Sequence, residues 1–180
     1  MSREVNTFLT WGAVAGARGL RGELKVRYLS PDGPDLQLSG LAVWFRRPGE
    51  EALICHRVKE TEPQRQGLIL RLEKVETSED ARPLFGCEAL VRREDLPPLS
   101  GGRPYWFQLE GLQVWDLRHG AIGRLDDLFT TPAHPIYVVN GSYGEVLIPA
   151  VGQFIIEIDL EHRRMTVDLP AGLIPEADEI

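Results

Sequence analysis

Few side chains in this sequence are spaced to do chemistry on a substrate. His56, His119, His134 and His162 fall in four separate segments, none at metal-ligand spacing from Cys, Asp or Glu. No metal and no other cofactor is expected. His119 and His162 sit in turn-like stretches and read as solvated, and His134, between Ala133 and Pro135, reads as structural. Asp126 and Asp127 follow a β-like pattern, in which neighbours point to opposite faces, so they are not expected to share a substrate proton. Ser78 and Ser142 have no neighbouring His in sequence, and nothing calls for a triad assembled in space. Cys55 and Cys87 lie far apart and read as small apolar filler. No enzyme active site is expected.

Binding chemistry is better represented. Gly12 to Val26 reads GAVAGARGLRGELKV, with glycines at 12, 16, 19 and 22. Arg18, Arg21, Lys25 and Arg27 lie among and just beyond them. No Gly-Lys-Ser/Thr follows, and the segment beyond is a β-pattern rather than a helix whose N-terminus could hold a phosphate, which argues against a nucleotide loop. Two readings remain for the corner. It turns the chain between two strands, or it also offers these four cations to RNA phosphates.

The third candidate is Pro104-Tyr105-Trp106-Phe107, which follows a Pro/Gly-rich stretch. A strand would point Tyr105 and Phe107 one way and Trp106 the other. Such rings either plug a seam or core, or anchor a protein partner.

The elements that position these residues are strands. β-like stretches cover Thr7–Ala15, Gly22–Leu29, Leu41–Phe45, Ala52–Val58, Gly67–Leu72 and Cys87–Val91, with a polar turn after Val58. A short helix is expected with Ser78 as its N-cap and Phe85-Gly86 as its stop. Six short strands and one short helix imply a small closed β-barrel. Composition shifts across Arg92 to Arg103, so residues 1–97 form one domain, 98–103 a linker and 104–180 a second domain. The second domain is again β, with strands over Val114–Leu117, Ala121–Phe129, Ile136–Val139, Gly144–Ile148, Gln153–Leu160 and Met165–Leu169. Phe154, Ile156 and Ile158 should share one face.

Net charge is −7 and unevenly spread. Residues 1–98 carry 15 Lys/Arg against 15 Asp/Glu, whereas residues 99–180 carry 5 against 12. An acidic half favours a basic partner, and a neutral half with Arg clusters can still meet phosphate. No apolar run approaches the roughly 20 residues that cross a bilayer, and MSREVNTF lacks a signal peptide's apolar core. A soluble cytoplasmic protein without a membrane partner is expected, and a monomer.

Together these motifs resemble the ribosome maturation factor RimM family across nearly the whole chain. Gly16 to Val26 is similar to its N-terminal G-x-x-G-[LI]-[RK]-G-E-[LV]-[KR]-V pattern, and Glu79-Asp80-Ala81 with Phe85-Gly86 to its short helix. Tyr105 to Leu112 resembles its inter-domain motif, and Leu147 to Ala150, Ile158 to Leu160 and Val167 to Leu173 resemble its C-terminal end. The resemblance implies an all-β protein: a six-stranded barrel like the second domain of elongation factors, then a PRC-type barrel. It implies a non-enzymatic assembly factor that binds the head of the immature 30S subunit through small-subunit ribosomal protein nineteen and 16S rRNA. Late folding of the 3′ region and processing of 16S rRNA would depend on it. An rRNA-processing enzyme and a generic β-barrel adaptor are the competing readings. Two departures stand out. Pro104 replaces the first of the family's paired tyrosines, and His134-Pro135 replaces a polar Asn-Asp.

Overall fold

The computed structural model describes residues 7–174, and the chain divides into two compact units, with the division between Arg103 and Pro104. The first unit contains β1 (Phe8–Arg18), β2 (Glu23–Tyr28), β3 (Ala42–Arg46), β4 (Leu53–Gln64), β5 (Gly67–Leu72) and β6 (Glu88–Arg92). They close into a barrel in the order β1-β2-β5-β4-β3-β6, with β6 pairing back onto β1. Alternation on β2 shows why. Leu24 and Val26 are buried in the core while Lys25 and Arg27 stand in solvent. Trp11, Phe45, Leu70 and Val91 fill the same interior. Closure leaves no unpaired sheet edge, which suits a domain with so little helix.

β4 runs six residues beyond the expected Val58, through Lys59 to Gln64, where a polar turn is expected. Its register slips between Val58 and Glu60, and it then pairs with β5 as far as Gln64 opposite Gly67. The extension is almost wholly exposed and has no apolar residue apart from Pro63, so it carries no hydrophobic alternation to mark it in the sequence. Cys87 is buried, and burial pushes its thiol pKa up, but Cys55 is exposed on β4 and is not filler. The short helix, α1 (Ser78–Ala81), is capped by Thr77 rather than Ser78. Thr77 Oγ1 accepts from the Asp80 amide at 3.1 Å, and the Asp80 carboxylate accepts from the Thr77 amide at 3.0 Å. That reciprocal box moves the helix start one residue earlier.

The second unit contains α2 (Trp106–Leu109), β7 (Gln113–Asp116), β8 (Gly120–Thr130), β9 (Pro135–Gly141), β10 (Gly144–Pro149), β11 (Ile155–Asp159) and β12 (Arg164–Val167). Its sheet order is β10-β9-β8-β7-β12-β11, and β12 pairs with β7 in parallel. Val114, Ile122, Val139, Ile148 and Met165, from five strands, share one buried cluster, so the sheet curls around a single core. On β11 the register slips between Ile155 and Glu157. Period two breaks there: Phe154, Ile155 and Ile158 pack on the core, while Ile156 is 56% exposed. The expected Phe154, Ile156, Ile158 face is therefore corrected. A slip between Leu125 and Asp127 likewise leaves both Asp126 and Asp127 in solvent.

Candidate nucleic-acid interface

The glycine-rich corner is the hairpin joining β1 to β2, with Arg18 opposite Glu23 at its last rung. Gly22 sits at φ +69°, where side-chain-bearing residues are strained, and a Cβ there would lie 2.7 Å from the Val75 carbonyl oxygen. The tip is thus pressed against the segment that leads into α1. Leu20 at the tip is 83% exposed, so the turn projects from the barrel.

The structure separates the four expected cations. Arg18 turns back onto the barrel. Its Nη1 donates to both Glu62 carboxylate oxygens at 2.9 and 3.0 Å, and its Nε lies 3.5 Å from Glu23. Glu23 in turn accepts from Arg71 at 2.8 Å, and Arg71 reaches Glu60 at 2.7 Å. The hydrogen bond from Arg18 holds the Glu62 carboxyl below the usual carboxylate range, and Glu62 raises the Arg18 guanidinium in return. Apart from the buried Glu23 these groups are solvated, so the exposed pairs orient side chains more than they stabilise the fold. Arg21, Lys25 and Arg27 have no such partners: among the described residues, none of the three forms an ion pair.

Three depressions among the described residues border this network. The central one, of about 370 Å³, is lined by Glu60, Thr61, Glu62, Ile69 and Arg71 and is net acidic. To one side, a space of about 470 Å³ gathers Arg21, Lys59, Arg71 and Lys74 with Glu73 and Glu76. To the other, a trough of about 450 Å³ has Lys25, Arg27 and Arg65 in its walls beside Gln64 and Gln66, with no carboxylate among its described lining residues. The Tyr28 amide donates to the Gln66 carbonyl at 3.2 Å and ties the β4–β5 turn to the end of β2. Gly67 lies under that junction, where a Cβ would run into the Val26 carbonyl. Lys25 and Arg27 therefore share a trough, and Arg21 faces the other way.

Comparison with known proteins fits both halves. The RimM N-terminal domain model matches residues 9–96, and the RimM PRC barrel domain model matches residues 106–173. A ribosome maturation factor RimM from Syntrophotalea carbinolica is 46% identical over 176 residues, covering 98% of this chain and 99% of that protein. The chain belongs to the RimM family. A RimM from Geotalea uraniireducens is 34% identical, over 91% of this chain and 93% of its own length. A solved RimM structure from Pseudomonas aeruginosa is 31% identical, over 91% of this chain and 98% of its own, with a TM-score of 0.45.

In this RimM chain the aromatic motif of the second unit is not a strand. Trp106 begins α2, and the Gln108 side chain accepts from the Tyr105 amide at 2.8 Å while the Gln108 amide donates to the Tyr105 carbonyl at 3.0 Å. Helical winding replaces the expected alternation of faces. Trp106, 9% exposed, belongs to the core cluster, and Tyr105 is 6% exposed. Phe107 is half-buried and stacks on Tyr105 at 5.5 Å between ring centres. The residue that sequence reasoning missed is Arg65. It stands alone in a polar run, and only the ladder between β4 and β5 carries it to Lys25 and Arg27.

Proposed function

We propose that this chain is a 30S assembly factor acting by binding rather than by catalysis. Its relatives are named ribosome maturation factors and align over almost its full length, which is the observation that carries the reading. The finer proposal is that it binds the head of the immature subunit through small-subunit ribosomal protein nineteen and 16S rRNA. In this account it acts in the cytoplasm as a monomer and promotes late maturation of the 3′ region. Arg21, Lys25 and Arg27 meet rRNA, and Arg18 takes part through the Glu62 network. The acidic second unit, with Asp126, Asp127 and Glu145 in solvent, suits a basic ribosomal protein. Of the aromatic triplet, Phe107 is the ring with surface to offer such a partner, while Tyr105 and Trp106 hold it in place.

A factor of this kind must prefer the immature subunit and lose affinity as the head matures, or it would not turn over. Sedimentation of the tagged protein with ribosomal particles tests this. Co-migration with precursor 30S and not with mature 30S is expected. Equal binding to both, or to neither, overturns it.

A further inference from the structure

We propose that the trough walled by Lys25, Arg27 and Arg65 seats the phosphodiester backbone of a single RNA strand. Its basic character is unspent: among the described residues none of these three cations forms an ion pair, while neighbouring Arg18 and Arg71 are each committed to glutamates. Its geometry is held by backbone. Lys25 and Arg27 are alternate outward residues of β2, paired with Ile69 and Gly67 of β5. Their origins are therefore about 6.8 Å apart, a spacing comparable to that of successive phosphates along one strand. Arg65 is brought alongside by the turn that the Tyr28–Gln66 hydrogen bond fixes. Cations on rigid elements lose less entropy on binding than cations on loops.

The shape and borders of the trough favour a polymer. It is open rather than enclosed, so a chain can pass through it where a free nucleotide would lie half in water. Gln66 adds a neutral amide group suited to ribose and base edges, and Gln64, whose Nε2 donates to Glu62 at 3.0 Å, keeps its amide oxygen for the same use. On one flank, Glu60 and Glu62 line the acidic depression and repel phosphate, which confines the track to the Lys25–Arg27–Arg65 side. Glu62 also occupies Arg18, so the most recognisable arginine of the hairpin shapes the border rather than the seat. This assignment rests on the proposed assembly role only for naming RNA as the polyanion.

The test uses the full chain and a short labelled oligouridylate, with affinity measured by fluorescence anisotropy across a salt series. In the Lys25→Ala/Arg27→Ala/Arg65→Ala variant, affinity at low salt should fall at least tenfold. The slope of log K against log salt should shrink by about 2, at about 0.7 per lost phosphate contact on a single strand. Arg65→Ala alone should shrink it by about 0.7. Circular dichroism melting should match the wild type, since all three side chains are exposed. An Arg47→Ala/Lys59→Ala/Lys74→Ala variant removes the same charge from exposed positions elsewhere and should keep most of the affinity. An unchanged slope in the trough variant overturns the proposal, and so does equal loss in both triple variants. Displacement of the RNA by poly-glutamate as effectively as by unlabelled oligouridylate would reassign the trough to acidic peptide. Pelleting of wild-type protein with precursor 30S reports on the assembly role separately: if it pellets while the trough variant binds RNA normally, the trough fails and the assembly role stands.

Discussion

Asp116 shows what one residue contributes to the second unit. Burial alone would raise its pKa, but it accepts from the His119 ring at 2.7 Å and from the Leu169, His119 and Arg118 amides at 2.9 to 3.0 Å, and these hold it at about 2. Its folded pKa lies below the unfolded one, so its stabilisation is complete above about pH 4 and is lost as pH falls through about 2. That window is worth about 2 kcal/mol. Urea titrations of Asp116→Asn should show a shallower loss of stability between these limits than the wild type. Asp116→Ala should cost about 3 kcal/mol at neutral pH, because the buried Leu169 amide and the part-buried Arg118 and His119 amides lose their acceptor. At the same scale, the triplet's roles can be separated. Phe107→Ala should weaken capture of a basic ribosomal protein while leaving the melting temperature near wild type. Trp106→Ala should lower stability by about 3 to 5 kcal/mol, the cost of emptying a core site.

At the scale of elements, slips of register decide which side chains meet. Two substitutions check the β11 bulge. Ile156→Gln should change stability by less than about 0.5 kcal/mol, as for an exposed site, and Ile158→Gln should cost about 1 to 3 kcal/mol by burying an amide. Equal effects in denaturant titrations would restore simple alternation. The β1–β2 hairpin depends on Gly22 in the same local way. Gly22→Val should cost about 2 kcal/mol or more through backbone strain and collision with Val75. It should also weaken binding to precursor subunits without removing any charge. The capping box at Thr77 and Asp80 was partly legible, since an acidic N-terminal turn was visible. The choice between Thr77 and Ser78 was not, because both hydroxyls are able caps and only the Asp80 contact selects one.

For the molecule as a whole, charge is divided between two units of unlike character. The second unit holds the chain's whole excess of negative charge, so added salt should slow its association with a basic partner more than it speeds release. Stopped-flow rates across a salt series would show this, and a salt-independent association rate would count against electrostatic steering. Two β units with hardly any helix were readable from turn residues and alternating hydrophobicity, as was the position of the basic hairpin. Local patterning determines these features, because inward and outward residues must alternate wherever one face of a strand is buried. Tertiary structure alone decided the rest. Glu62 and Arg18 are 44 residues apart, and Arg65 reaches Lys25 and Arg27 only through the β4–β5 and β5–β2 ladders. Charged residues on an outer face leave no periodic signal, so the sequence shows that the cations exist but not which are already neutralised. The paired strands carry Arg18 to its glutamate and leave Lys25, Arg27 and Arg65 facing water, because backbone ladders, rather than sequence spacing, set the distances between charges.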